Sequence, residues 1–279
     1  SLDHDGRALL SGLGKLLENP DGHGGCFTAL VASGQLEQLH CENVKQIVYI
    51  QVDNLLAPVD DSVLVGLASR DHADVITKVL EKAHPDEKVG HLVRIAADNG
   101  REHDHIVEYT EVTSEQVRAR GSDGELIYRW GSPAMHCWSV GFFRRLAEKG
   151  FKPALHRSAK PLKAWSDTGI REVKGWKNER FIFDLLPQAE VSIGLEIDRN
   201  LEFAPVKNVT GVDSAQTAIE LASKLYESWL TDAGVRVALP SQSRIEISPL
   251  FAATQEEFRK AWDKRVREVT GDYYLEGSS

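Results

Sequence analysis

One apolar stretch that runs straight into a carboxylate and an amide constrains the fold of this chain most. The stretch QIVYIQVDN starts at Gln46, and its Ile and Val residues are typical of a strand buried on both faces. It reaches Asp53 and Asn54 with no turn residue in between. Ligands of open α/β sheets bind beyond the carboxyl ends of strands, so we expect a site here. The alternative is that the two side chains only cap the next turn.

Helical and strand patterns alternate along the 279 residues, which is typical of an α/β protein. We expect the strand that ends at Asp53 to follow a Gly-rich turn and a helix. The other predicted helices cover 61–69, 141–150, 178–189, 213–230 and 254–271; the other predicted strands cover 74–82, 134–140 and 191–198, with a hairpin in 88–109 that turns at Asn99 and Gly100. The predicted fold class is α/β, with a mixed, mostly parallel central sheet, helices on both faces and hairpin insertions.

The composition excludes several classes of protein. A net charge of −9 argues against a general nucleic-acid binder, which needs a basic face. No stretch approaches the ~20 apolar residues that span a bilayer, and the N-terminus lacks the pattern of a secretory signal. The three cysteines are not in metal or C-x-x-C spacing, which indicates reduced thiols. We therefore expect a cytoplasmic protein with no membrane or nucleic-acid partner.

Two features near the first strand favour a site for a phosphate and a metal. The glycines of DGHGG, from Asp21 to Gly25, precede a helix, and a helix N-terminus favours anions. Asp53 offers a hard oxygen ligand of the kind that Mg²⁺ uses when it is shared with phosphates. Both features are expected at the same edge of the sheet.

Six segments occur in an order and at spacings that resemble a known family. They are NPDGHGG, YIQVDN, HPDEKVG, VEYTE, ERFIFD and EFAPVKN, and RIEISPL follows near the C-terminus. Together they resemble the UDP-sugar pyrophosphorylases, which are UTP–sugar-1-phosphate uridylyltransferases acting on N-acetylglucosamine 1-phosphate or glucose 1-phosphate. The resemblance implies a Rossmann-like nucleotidyltransferase domain over 1–235 and a C-terminal segment with a terminal helix over 236–279.

The resemblance also implies a role for particular residues. Asp53 and Lys207 are the expected catalytic residues, because Asp53 would bind Mg²⁺ and Lys207 would reach the phosphates. The expected substrate-binding residues are Gly22 and His23 for uridine and the sugar phosphate, Gly90 and Glu108 for the sugar, and Phe181 and Phe183 for the wall of the sugar pocket. By their spacing alone, Phe181 and Phe183 are as well explained as core residues.

The implied reaction uses UTP and a sugar 1-phosphate and needs no protein nucleophile. A phosphate oxygen of the sugar 1-phosphate attacks the α-phosphorus of UTP, and pyrophosphate leaves. Positioning and neutralisation of charge are expected to supply most of the rate.

The sequence departs from the family in two places. Nothing in residues 1–20 resembles the family's opening loop, L-x-G-G-x-G-T-R-L-G, so the chain is expected to be the later part of a longer protein, with little activity alone. Self-association through an unpaired sheet edge is expected for the same reason. Two alternatives stay open: another chain supplies the missing loop, or the protein has lost the activity. At WGSPAMH, Ser132 stands where the family has an Asn that reads the sugar, which leaves the sugar's identity open.

Two other functions fit the same residues. A metal-dependent UDP-sugar glycosyltransferase also places an acidic motif at a strand end, although this chain has no second acid in D-x-D spacing at Asp53. A non-catalytic UDP-sugar-binding module is the third hypothesis.

Overall fold

The computed structural model describes residues 1–96, 100–241, 243–263 and 266–277. Its strands are β1 Leu10–Gly12, β2 Lys15–Leu16, β3 Gln46–Tyr49, β4 Val75–Glu81, β5 Gly90–Ala96, β6 Glu102–Val107, β7 Trp130–Ser132, β8 His136–Ser139, β9 His156–Ser166, β10 Gly169–Glu179, β11 Ser192–Glu196, β12 Arg236–Val237, β13 Ile245–Ile247, β14 Glu268–Val269 and β15 Tyr273–Leu275. Its α-helices are α1 Gly25–Ala32, α2 Gln35–Cys41, α3 Ser62–Arg70, α4 Val140–Glu148, α5 Arg199–Glu202, α6 Ala215–Asp232 and α7 Gln255–Ala261. Short 3₁₀ helices cover Gln116–Arg118 and Ile182–Gln188.

The central sheet is mixed, as predicted, but it is not mostly parallel. Its strand order is β3-β8-β4-β7-β5-β6, and β11 pairs with the other edge of β4. Within the described ranges β4 and β11 are the parallel pair of this sheet, and its remaining pairs are antiparallel. The parallel prediction was wrong because an apolar run reports burial and not direction. For example, β8 is buried between β3 and β4 and runs opposite to both.

Strand β3 is shorter than the sequence predicts. It ends at Tyr49, and its side chains are only half-buried. The chain then turns away, so that Val52 is fully exposed. Asp53 therefore lies in the loop after the strand and not at its last residue. In the described part of the chain, β3 pairs with β8 alone and its other edge is unpaired.

Several local predictions hold and others fail. Asp61 caps α3 by accepting the N–H of Leu64 over 2.8 Å. The hairpin of β5 and β6 is present, although Asn99 lies outside the described residues. The helix predicted over 178–189 is instead the end of β10 followed by a 3₁₀ turn. An antiparallel hairpin, β9 with β10, was not predicted.

The helix predicted over 254–271 is much shorter. Thr254 and Glu257 form the predicted capping box, but α7 ends at Ala261 because Trp262 is extended. Val269 belongs to strand β14. Residues 264 and 265 of the predicted helix lie outside the described residues. Helix α6 is capped by Ser214 and Thr217 and not by Asp213.

Two of the apolar clusters lie on different parts of the chain. The larger contains Phe27, Trp138, Phe142, Phe143 and the 3₁₀ segment 182–186, and it joins α1 and α4 to the sheet. The smaller joins the end of α6, at Trp229 and Leu230, to residues 235–269. The division at residue 235 stays a prediction. No helix of the described residues is long and apolar enough to cross a membrane.

A buried lysine fixes the region below the loop of Asp53. The Lys78 side chain, on β4, is 2 % exposed, and its ammonium group forms ion pairs with Asp61 and Glu202. Asp61 also caps α3, and Glu202 ends α5. The pairing is needed because an isolated charge in such a place is strongly unfavourable. Lys78 thus joins three elements: α3, β4 and α5.

Candidate active site

The ends of the central strands surround a cleft of about 210 Å³. Five chain segments line it: the loop after β3, the start of β5, the end of β6, the connection between β7 and β8, and the loop after α5. The lining residues are Gln51, Asp53, Asn54, Lys88, Val89, Gly90, Glu108, Tyr109, Ser132, Pro133, Ala134, Phe203, Pro205 and Lys207.

Asn54 explains how Asp53 is placed in this cleft. The buried Asn54 side chain accepts the N–H of Ala204 over 2.8 Å and donates to the carbonyl oxygen of Glu202 over 2.8 Å. A backbone hydrogen bond joins the same two loops, because the N–H of Val206 donates to the carbonyl oxygen of Asp53 over 2.8 Å. The amide after the strand is therefore structural, and it leaves the Asp53 carboxylate beside the cleft.

Lys207 reaches the cleft from the opposite loop. Its backbone N–H donates to Asp213 over 2.7 Å, which holds the turn 207–213. Its ammonium group lies 6.0 Å from the centroid of the Phe203 ring. The residue is exposed, as a lysine that meets a solvated phosphate needs to be. Asp53 and Lys207, which 153 intervening residues separate in the sequence, face one cleft.

Gly90, Glu108 and Ser132 form the facing wall. Gly90 pairs with Ser132 between β5 and β7. A Cβ at Gly90 would lie 2.7 Å from Ile106 and 3.5 Å from the Glu108 carboxylate, so a larger residue would displace this wall. The Ser132 hydroxyl oxygen already accepts the N–H of Ala134 over 3.2 Å, and its O–H group can still donate to a ligand.

The charge of the cleft is balanced between two acids and two lysines. Burial raises the pKa of Glu108 above its usual range, and the neighbouring Glu111 raises it further, while His156 and Lys207 oppose the shift. Lys88 adds a second cation to the lining. A cleft with both signs of charge suits a ligand that carries phosphate and sugar hydroxyl groups.

An aromatic cluster stands beside the cleft and contains the other predicted residues. The His23 ring lies 5.1 Å from Phe181, 5.4 Å from Phe183 and 6.2 Å from Tyr49, measured between ring centroids. His23 Nδ1 accepts the N–H of Ile182 over 3.0 Å, so Nε2 carries the proton of the neutral ring. Burial chiefly, and then His156, lowers the pKa of His23 to about 4.

Gly22 and Gly24 lie where two backbone segments, 21–24 and 179–181, pass very close to each other. A Cβ at Gly22 would lie 2.3 Å from the Arg180 carbonyl oxygen, and one at Gly24 would lie 2.6 Å from the Phe181 backbone. Arg180 in turn donates to Asp21 over 2.6 Å and accepts from Gly24 over 2.8 Å. These glycines therefore let residues 21–24 pack against 179–181, which brings His23 onto Phe181 and Phe183.

The predicted residues thus divide into two neighbouring groups. Asp53, Gly90, Glu108, Ser132 and Lys207 line the cleft. Gly22, His23, Phe181 and Phe183 do not line it. Phe183 is only 4 % exposed and belongs to the larger core, while Phe181 is partly buried against that core. Tyr49 connects the groups, because its hydroxyl accepts from the side chain of Gln51 over 2.7 Å.

Several residues of the site were missed from the sequence. Lys88 and Tyr109 each adjoin a predicted residue closely along the chain, so proximity to Gly90 and Glu108 was a usable signal. Gln51 had no such signal. His156 was missed because the hairpin of β9 and β10 was missed.

The described residues contain no cluster of three or more histidine, cysteine or acidic side chains that could hold a metal ion. Asp53 is nevertheless suited to Mg²⁺, because this ion is commonly bound by one or two carboxylates together with substrate phosphates. Its carboxylate faces the cleft that Lys88 and Lys207 also line. The residues present therefore fit a metal that arrives with a phosphate ligand.

Comparison with known proteins confirms the family resemblance. Residues 15–128 match the family model described as UTP–glucose-1-phosphate uridylyltransferase. A Dictyostelium discoideum protein named "Probable UDP-N-acetylglucosamine pyrophosphorylase" is 30 % identical over 264 residues, covering 91 % of this chain and 53 % of its own length. UDP-N-acetylglucosamine diphosphorylase 2 of Arabidopsis thaliana is 32 % identical over 261 residues, covering 91 % of this chain and 51 % of its own length.

The fold agrees with these sequence matches. A crystal structure of an Entamoeba histolytica protein, assigned as a UDP-N-acetylglucosamine pyrophosphorylase, superposes with a TM-score of 0.84 at 29 % identity. The match covers 99 % of this chain and 68 % of that protein. The chain spans about half the length of the curated relatives that it matches. In sequence and in fold, the chain is similar to the UDP-sugar pyrophosphorylase family.

Proposed function

We propose that the protein containing this chain is a uridylyltransferase that forms a UDP-sugar and pyrophosphate from UTP and a hexose 1-phosphate. The observation that carries the proposal is the meeting of Asp53 and Lys207 at one cleft, opposite Gly90, Glu108 and Ser132. The relatives named above support N-acetylglucosamine 1-phosphate as the first sugar to test.

Three charged groups of the cleft have a part in this reaction. The attacking oxygen of the sugar 1-phosphate forms a bond to the α-phosphorus of UTP, and the bond to the bridging oxygen of pyrophosphate breaks. The Lys207 ammonium group stabilises the negative charge that spreads over the phosphoryl oxygens. Asp53 would hold Mg²⁺, which supplies further neutralisation of that charge when it is bound. The Glu108 carboxylate accepts hydrogen bonds from the sugar hydroxyl groups.

Holding both substrates in line supplies the rest of the rate. The link from Asn54 to Ala204 fixes Asp53 relative to Lys207, and the close packing at Gly90 fixes the wall that faces them. Such preorganisation matters because a misplacement of about 1 Å is enough to cost roughly 100-fold in rate. A cytoplasmic location stays a prediction.

The test is release of pyrophosphate from UTP and N-acetylglucosamine 1-phosphate by the natural protein that contains this chain, with and without Mg²⁺. Glucose 1-phosphate in a parallel assay reports the sugar preference. We expect Mg²⁺-dependent release that Lys207→Ala strongly reduces. Transfer of sugar from the UDP-sugar to an acceptor would instead indicate the glycosyltransferase. Binding of UDP-N-acetylglucosamine with no turnover would indicate a binding module.

A further inference from the structure

His156 connects the acidic side of the cleft with the aromatic cluster. Its Nε2 atom lies 2.9 Å and 3.0 Å from the two carboxylate oxygens of Asp184. Its Nδ1 atom lies 3.8 Å from the carboxylate of Glu111. Its ring lies 4.5 Å from the ring of Phe181, measured between centroids. One imidazole thus contacts side chains from two other chain segments.

Glu111 transmits this contact to Glu108. The Glu111 carboxylate accepts the backbone N–H of Glu108 over 3.1 Å. The backbone N–H of Glu111 in turn donates to the carbonyl oxygen of Glu108 over 2.9 Å. The turn 108–111 is therefore closed on itself, and the side of it that carries Glu111 faces His156.

The chemistry of these groups fixes the arrangement. A carboxylate only accepts hydrogen bonds, so the His156 nitrogen facing Asp184 carries a proton. Glu108, Glu111 and Asp184 would repel one another, and His156 lies between two of them. Asp184 is held in turn by its position in the 3₁₀ segment, where its side chain is only 10 % exposed.

We propose that His156 is a positioning residue for the sugar side of the cleft. By joining Asp184 to Glu111 and packing against Phe181, it sets the position of the turn that carries Glu108 relative to the aromatic cluster beside the cleft. The sugar of a UDP-sugar contacts Glu108 and depends on that position, whereas a bare nucleotide does not. The inference rests on the proposed function, because it takes the ligand to be a UDP-sugar.

The test is calorimetric titration of the natural protein that contains this chain with UDP-N-acetylglucosamine and, separately, with UDP. His156→Phe keeps a ring against Phe181 and removes the hydrogen bond to Asp184. Because a hydrogen bond to a charged group is lost, we expect the preference for UDP-N-acetylglucosamine over UDP to fall about tenfold or more. Glu111→Gln should lower the same preference, while the affinity for UDP stays unchanged in both variants.

Arg157→Gln is the matched control, since Arg157 is the next residue of β9 and is exposed on the opposite face. It should retain the wild-type preference. If His156→Phe does not fold, His156→Gln replaces it, because glutamine keeps a donor and loses the ring.

Two results would overturn the inference alone: a wild-type preference that is intact in the His156 variants, or an equal loss of affinity for both ligands, which would indicate a general structural role. If the natural protein binds neither ligand, or does not distinguish them, the proposed function is overturned together with the inference.

Discussion

The side chain of Asn54 binds the backbone of Ala204 over 2.8 Å, across 150 positions of sequence. Its amide group also donates to Glu202. Because Asn54 follows Asp53 and Ala204 precedes Lys207 by three residues, this one contact aligns the two loops that carry the expected catalytic residues. The relationship leads to the first prediction.

Asn54→Ala should lower the free energy of unfolding by about 1–3 kcal/mol, since it leaves the buried Ala204 N–H and Glu202 carbonyl oxygen without their partner. Binding of UDP-N-acetylglucosamine should weaken as well. Urea denaturation measures the change in the free energy of unfolding, and calorimetric titration measures the change in affinity for UDP-N-acetylglucosamine. Asn208→Ala is the control, because the exposed Asn208 side chain donates to the carbonyl oxygen of Val212 within its own turn. Equal effects of the two variants would contradict the role given to Asn54.

Asp53→Asn should abolish Mg²⁺-dependent turnover of the natural protein and leave the fold intact. The amide keeps the shape of the side chain and removes the charge that holds the metal. Turnover over a range of Mg²⁺ concentrations, beside circular dichroism, tests the prediction. The exposed Asp60 provides the control variant Asp60→Asn. Activity of Asp53→Asn close to that of the wild type would exclude Asp53 as the metal ligand.

Lys207→Ala should raise the barrier for chemistry by ~2–4 kcal/mol, the loss found when one preorganised electrostatic donor is removed. The effect should be on kcat, since the charge that Lys207 meets develops in the transition state. Steady-state kinetics with the exposed α6 variant Lys224→Ala as control separate this from a general effect of charge. A changed KM for the sugar phosphate with an unchanged kcat would move Lys207 away from the reacting phosphate.

The stability of the fold should fall as the pH falls from about 6.5 towards 4, in part because of His91. This side chain is fully buried against Tyr128, and neither ring nitrogen has a hydrogen-bond partner in the described structure. Burial, and then Lys82, lowers the pKa of His91 to about 4. Between the two pKa values the unfolded chain binds the proton and the folded chain does not, so stability increases with pH.

A pKa shift of this size changes the free energy of unfolding by on the order of 3 kcal/mol across this pH range. His91→Phe should therefore weaken the pH dependence of the urea midpoint, while His84→Gln, at an exposed position, should not. An unchanged slope in His91→Phe would contradict the assignment of this pH dependence to His91.

The free edge of β3 should make the chain self-associate as its concentration rises, because its backbone groups are unpaired in the described structure and Val52, in the loop that follows β3, is fully exposed. Val52→Lys should reduce the association, since Val52 is fully exposed and a lysine costs nothing in packing. Light scattering over a concentration series measures it. Ile170→Lys, at an exposed position in the hairpin of β9 and β10, is the control. A wild-type chain that stays monomeric at all concentrations would contradict the prediction.

The sequence predicted those elements whose signals are local. The cap of α3 at Asp61 and the capping box of α7 depend on residues three positions apart, and both are present. The cap of α6 was misplaced by one residue because Asp213 and Ser214 are both good capping residues, and only the backbone decides between them. Strand direction failed because apolar patterning reports burial alone.

The candidate site was predicted through the family resemblance and not through local patterns. Nothing near Asp53 specifies that the preceding residue, Val52, is exposed, or that Asn54 bonds a residue far away. His156 shows the same limit, because its partners Glu111 and Asp184 lie 45 and 28 positions away. Contacts of this kind depend on the tertiary fold.

The crossing of Gly22 and Gly24 with Arg180 bears on the order in which the protein folds. The partners are about 160 residues apart, so the loop that must close to join them includes most of the central sheet. Contacts at such a separation form late, after local helices and hairpins, because the entropy of closure has to be overcome first. On the ribosome, His23 cannot meet Phe181 until synthesis has passed the second strand of the β9 and β10 hairpin. The aromatic half of the site is therefore expected to assemble late during folding.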